Sequence, residues 1–228
     1  MACVVVDIDD TLISTDRRMQ GIWRHVLGRE VPLEDVETLS LEQVFLKFAS
    51  AEQKVRAAEF RRRFWNVVLC LEEVGAELLE LDEAVPFAAD VLQEWSKQCG
   101  LVYLTGRTEN TRELTLRELV KFGFPTENVQ LLMFNVEDYA RMRGEDPSGP
   151  TLVDVKARLL FQLSKKQNVL RVVDDYPGYF PVYKQLGVPE RIGLLRSKRY
   201  SPRDYIEGGA TRVVESWKQI QDDLSEQT

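Results

Sequence analysis

Residues Met1 to Thr15 read MACVVVDIDDTLIST, and this stretch decides the fold. Cys3 to Val6 is a β-branched apolar run, too short for a helix and bounded by acids, so it predicts a strand buried on both faces. Asp7, Asp9 and Asp10 stand at its carboxyl end, followed by Thr11. A charge taken out of water is heavily penalised unless a cation or hydrogen-bond donors compensate it. Three acids beside a buried strand therefore point to a metal.

Beyond Thr15 the rhythm becomes helical. Met19, Ile22, Trp23, Val26 and Leu27 recur at helical spacing with Gly28 as a stop, and Leu41, Val44, Phe45 and Phe48 repeat the pattern. Ser50 and Gln53 form a capping box opening a helix through Phe60, Phe64, Val67, Val68 and Leu71, and Glu77 to Leu81 adds a turn or two. This predicts an all-helical domain over 17–84, without a strand.

From Pro86 strands and helices alternate. Pro86 opens a helix bearing Val91, Leu92 and Trp95, with Gly100 just past its end; a short strand follows over Leu101–Leu104. A helix over 109–122 ends at Gly123 and Pro125, Val129–Phe134 is a strand, and 135–150 is a loop. Then come a helix over 152–165, a strand over 169–173, a helix over 179–186, a strand over 192–195 and a terminal helix over 217–224. Strands separated by helices imply parallel pairing with right-handed crossovers. The expected fold is a Rossmann-like three-layer α/β/α core over 1–16 and 85–228, carrying the helical domain.

Ligands of such sheets bind beyond the carboxyl ends of the strands. Three of the expected strand ends carry chemistry: Asp7 to Thr11, Thr105-Gly106-Arg107 and Asp174-Asp175. Their agreement with the rule argues for one site. With 37 acidic against 30 basic residues the net charge is −7, which argues against a general nucleic-acid or anionic-membrane surface. Cys3, Cys70 and Cys99 are an odd number, widely spaced and without a CxxC, so they read as core residues in a reducing compartment. The chain opens straight into its first strand and no apolar run approaches about 18 residues. A cytosolic, membrane-free protein is expected.

Asp7-Ile8-Asp9-Asp10-Thr11-Leu12, Leu104-Thr105-Gly106-Arg107, Val155-Lys156 and Val173-Asp174-Asp175, in that order, resemble the four motifs of the haloacid dehalogenase superfamily of phosphohydrolases. The helical insert is similar to the cap of the family's C1 subgroup. The resemblance implies Mg²⁺-dependent hydrolysis of a small phosphate monoester through an aspartyl-phosphate, under a cap that closes to exclude water. It makes Asp7 the nucleophile and Asp9 the group that protonates the leaving oxygen and then activates water. Dehalogenases lack an acid at the second position, so Asp9 favours a phosphate ester. Thr105 and the Gly106 amide would grip phosphate at a helix N-terminus, and Lys156 would neutralise phosphate and nucleophile, with Lys165 and Lys166 as competitors. Mg²⁺ would lie on Asp7, the Asp9 carbonyl and Asp174, with Asp175 either ligating through water or supporting the other ligands. Arg107 is a lesser candidate for substrate contact.

Two positions depart from the family pattern: Asp10 stands where Gly is common, and Gly178 where a second acid is frequent. A phosphotransferase of the hexose-phosphate mutase kind and a catalytically silent phosphate-binding module are the rival readings. In each the partner is a small phosphate ester, not a nucleic acid.

Overall fold

A computed structural model describes residues 2–137 and 151–226 of the chain. The loop expected over 135–150 falls almost wholly outside the described residues. In chain order the strands are β1 (Ala2–Val6), β2 (Ile13–Ser14), β3 (Glu83–Ala84), β4 (Gly100–Thr108), β5 (Gln130–Phe134), β6 (Asn168–Asp174), β7 (Glu190–Leu194) and β8 (Arg212–Val214). Six of them form a sheet in the order β5-β4-β1-β6-β7-β8, every pair parallel, and β2 and β3 form a small sheet of their own.

The apolar run at the start of the chain lies in the middle of the large sheet. Its side chains alternate: Val4 and Val6 enter one core and Cys3 and Val5 the other. The first core is closed by α7 (Ala88–Ser96), α8 (Arg112–Lys121) and α12 (Trp217–Glu226), through Val91, Leu92, Trp95, Leu119, Trp217 and Ile220. The second is closed by α9 (Leu152–Ser164), α10 (Phe180–Gln185) and α11 (Pro202–Gly208), through Leu160, Leu163, Phe180, Tyr183 and Tyr205. Each such side chain contributes about 1.5–3 kcal/mol by leaving water. This is the expected three-layer α/β/α arrangement.

Trp217 ties the first core to the loop after β1. It is fully buried, its ring centroid lies 5.8 Å from that of Trp95, and its Nε1 donates to the Thr11 carbonyl at 2.8 Å. Trp217→Phe keeps an aromatic ring but orphans that carbonyl, and should cost about 1–3 kcal/mol. Urea unfolding checks it, and an unchanged midpoint would show that the bond contributes nothing.

The helical residues 14–83, joined by 197–199, form a second compact unit. It contains α1 (Asp16–Leu27), α2 (Leu33–Thr38), α3 (Leu41–Phe48), α4 (Ala51–Val55), α5 (Ala57–Val68) and α6 (Glu73–Leu78). Gly28 ends α1 in the left-handed conformation at φ 66°. Reciprocal capping boxes at Ser40/Gln43 and Ser50/Gln53 open α3 and α4. The core is Trp23 against Phe64, 4.3 Å between centroids, with Val26, Leu27, Val44 and Val67 around it.

Several boundaries differ from expectation. The helix opened by Ser50 stops at Val55 and restarts at Ala57, because Arg56 leaves helical geometry at φ −102°, ψ 28°. Helix α7 starts at Ala88, after Phe87 in the left-handed region, so Pro86 precedes it. Gly100 begins β4 rather than following a helix end. The helical insert ends in a strand residue, Glu83. Helix α11 and strand β8 complete the sheet unannounced by apolar periodicity, although Ser201, Pro202 and Asp204 carry a capping box with proline at the first position. Cys3 is buried and Cys70 and Cys99 are partly so; all three are free thiols. Among the described residues no helix is long and apolar enough to cross a membrane.

Candidate active site

The chain runs outward from β1 to β4 and β5, then restarts beside β1 with β6 and runs the other way to β7 and β8. The reversal falls between β1 and β6, where open parallel sheets hold their ligands. Val6 pairs with Tyr103 on one side and Val173 on the other, so Asp7 and Asp174 emerge level with each other and Thr105 follows closely. The Asp7 amide continues the ladder by donating to the Val173 carbonyl at 3.0 Å. The chain then turns back, with the Thr11, Leu12 and Ile13 amides all donating to the Ile8 carbonyl. Asp10 takes the left-handed conformation at φ 59° that this turn needs, which asparagine and aspartate tolerate better than most residues.

Asp7, Asp174 and Lys156 meet at this edge. The Lys156 ammonium, on α9, donates to Asp7 Oδ1 at 2.8 Å and to Asp174 Oδ2 at 2.6 Å, and all three residues are over nine-tenths buried. The remaining oxygens are also engaged. Thr11 donates to Asp7 Oδ2 at 3.2 Å and the Tyr176 amide to Asp174 Oδ1 at 3.0 Å, while the Tyr183 hydroxyl joins Lys156 on Asp174 Oδ2 at 2.5 Å. Thr11 also reaches Asp175 Oδ1 at 3.4 Å. The Tyr179 ring lies against the ammonium, 4.1 Å from centroid to Nζ.

One buried ammonium faces more acid than it can neutralise. Burial, with Asp174 and Asp9 adding to it against the opposing Lys156, pushes Asp7 up to about 7. Burial, then Asp10, Asp174 and Asp7, hold Asp175 well above the usual carboxylate range. Burial alone would lower Lys156, yet Asp174 and Asp7 outweigh it and hold the amine well above its ordinary value. Carboxylate oxygens of Asp7, Asp174 and Asp175 all lie within 4.8 Å of one another. A hard, all-oxygen donor set with surplus negative charge fits a divalent cation.

Asp9 stands apart from this cluster. Its carboxylate is held by Arg107, with Nη2 at 2.8 Å from Oδ1 and Nε at 3.1 Å from both oxygens. Arg107 is itself buried and held from behind by Glu118 and by the Thr115 hydroxyl on α8. Thr105 does not sit at a helix N-terminus: β4 continues through Gly106 and Arg107 to Thr108, and α8 begins at Arg112. The Thr105 hydroxyl accepts from the Arg107 amide at 3.1 Å. Lys156, not Lys165 or Lys166, is the lysine brought to the acids.

The grip of Arg107 on Asp9 and the two tyrosines around Lys156 escaped the sequence reading. Tyr179 and Tyr183, four residues apart just after Asp175, carried the one usable signal, since that spacing puts two side chains on one helical face. Glu118 carried none, because it reaches Arg107 only once β4 and α8 are packed.

No known family's sequence profile matches the chain, and no curated protein matches it in sequence. Solved structures do match in shape. A haloacid dehalogenase-like hydrolase from Streptococcus pneumoniae aligns at a TM-score of 0.64 with 14% identity, over 97% of each chain. A putative phosphatase from Clostridium difficile aligns at 0.65 with 17% identity, also over 97% of each. A putative beta-phosphoglucomutase from Thermotoga maritima aligns at 0.59 with 18% identity, over 99% of each. With the parallel sheet, its reversal between β1 and β6 and the carboxylates at that edge, these alignments show that the chain has the haloacid dehalogenase-like fold.

Proposed function

We propose that the chain is a Mg²⁺-dependent phosphomonoesterase acting on a small phosphate ester in the cytoplasm, with residues 14–83 serving as a cap of the C1 kind. The observation that carries this reading is the buried Asp7 carboxylate bonded to Lys156 beside Asp174, at the reversal of strand order. Asp7 attacks phosphorus and the ester oxygen leaves, giving an aspartyl-phosphate that water then hydrolyses; covalent catalysis splits one difficult displacement into two easier steps. Lys156 stays protonated and balances the charge on nucleophile and phosphate. Asp9 gives a proton to the leaving oxygen and takes one from the attacking water. Arg107, backed by Glu118, fixes the direction in which the Asp9 carboxylate faces. Thr105 and the Gly106 amide, at the same edge, donate to phosphate oxygens. Asp7, Asp174 and Asp175 would hold Mg²⁺ with the Asp9 carbonyl; when bound, the ion shields the approach of the two anions.

An aryl phosphate should turn over with Mg²⁺ and not in excess chelator. Because burial raises Asp7 and Asp175, which must ionise to hold the ion, protons compete with it, and apparent Mg²⁺ affinity should climb as pH rises through about 7. Titration calorimetry at pH 5.5 and 8 checks this, and equal affinities would rule out these carboxylates as ligands. A phosphomutase would use the same groups, and the Thermotoga structure's name keeps that alternative in view. Isomerised ester instead of free phosphate, on mixing with hexose phosphates, would establish it.

A further inference from the structure

Tyr176 follows the acid pair directly and is 39% exposed, whereas its aromatic neighbours Tyr179 and Tyr200 pack against the second core. Its ring centroid lies 5.0 Å from that of Tyr179 at 76° and 5.7 Å from that of Tyr200 at 65°. Both contacts are edge-type, so neither neighbour stacks flat on it. The ring rests on Gly178: a Cβ there would come within 2.4 Å of Tyr176 Cε1 and 2.7 Å of Cζ. Glycine at 178 thus leaves the space that the aromatic ring occupies. The ring is anchored from the site side, since the Tyr176 amide donates to Asp174 Oδ1 and Tyr179 lies over the Lys156 ammonium. An exposed ring on which neither neighbouring tyrosine stacks flat, one tyrosine removed from the group that would grip phosphate, is placed to stack on a planar group.

Resting on the phosphatase reading above, we propose that Tyr176 is the specificity platform of the site, and that the substrate is a phosphate monoester whose leaving group carries a planar aromatic ring, as in a nucleoside monophosphate or an aryl phosphate. Aliphatic esters would reach the same phosphate grip without that contact. Stacking on an aromatic side chain is commonly worth about a tenfold or greater change in affinity.

The test compares kcat/KM for adenosine 5′-monophosphate, an aryl phosphate and glycerol phosphate, with Mg²⁺, in the full chain. The parent should prefer the aromatic esters, and Tyr176→Leu and Gly178→Ala should each lower that preference about tenfold while leaving glycerol phosphate turnover unchanged. Tyr176→Phe should keep it. Preference for only one aromatic ester would identify the source of the ring. Equal losses on all esters, or an unaltered ratio, would overturn the platform and leave the phosphatase reading standing. If no ester turns over, calorimetric binding of adenosine 5′-monophosphate against inorganic phosphate, in parent and Tyr176→Leu, decides the platform by itself: weakening confined to the nucleotide supports it and equal binding overturns it.

Discussion

Asp7→Asn should abolish turnover of an aryl phosphate, by more than about a thousandfold in kcat, while the protein remains folded. The amide is nearly isosteric: its oxygen keeps the bond that Lys156 makes to Oδ1 at 2.8 Å, and its NH2, in place of Oδ2, can donate to the Thr11 hydroxyl, which now donates at 3.2 Å. What it lacks is an anionic oxygen able to form a bond to phosphorus. A second readout separates this chemistry from misfolding. Burial raises Asp7 to about 7 in the folded chain, above an unfolded value of about 3.9. A carboxyl group raised in this way contributes stability that is complete below the unfolded value and lost as pH climbs through the folded one. Metal-free parent should therefore melt at falling temperatures from pH 5 to pH 8, and Asp7→Asn should lose less over the same range. Scanning fluorimetry in chelator measures the slopes. Retained turnover would remove Asp7 as nucleophile; equal slopes would show that its burial carries no such penalty.

The sheet was legible in the sequence because its signals are local. Val4 and Val6 against Cys3 and Val5 show a strand buried on both faces, and acids at its end mark the edge where ligands gather. Asp7 and Asp174 were legible for the same reason, since each stands at a strand end, whereas Lys156, a lysine on a helix, entered only through the resemblance of the motifs and is brought to both acids by the packing of α9. The segment Leu104-Thr105-Gly106-Arg107 misled because a glycine between polar residues reads as a turn. Pairing with β5 instead carries the strand on to Thr108 through a register shift. Asp9 likewise faces Arg107, 98 residues away, rather than Asp7, Asp174 and Asp175, and Glu118 supports the guanidinium from behind. Such long-range pairings leave no periodic trace. Strand β8 is three residues long, too short for alternation to show.

Lys156→Met should destabilise the metal-free protein by about 3–5 kcal/mol at neutral pH, and it should also sharply reduce turnover. The thioether fills much of the same volume, so the loss is electrostatic. It leaves Asp7 and Asp174 buried, 7% and 1% exposed, without the ammonium that bonds both. Asp174 keeps the Tyr183 hydroxyl and the Tyr176 amide, and Asp7 keeps Thr11, but none of these carries a charge. The sign with pH follows from the acids. At low pH, where Asp7 is protonated, parent and variant should differ least; as pH rises through about 7 the parent ionises Asp7 against Lys156 and the variant cannot, so the gap widens. A divalent cation restores positive charge at the same oxygens, and added Mg²⁺ should raise the variant's melting temperature more than the parent's. Adding Asp174→Asn to Lys156→Met should recover part of the lost stability, because deleting both members of a buried pair costs less than stranding one. Urea unfolding across pH, with and without Mg²⁺, measures all three. A variant as stable as the parent, or a double variant worse than the sum of its parts, would mean that Lys156 is not what makes this acidic edge tolerable.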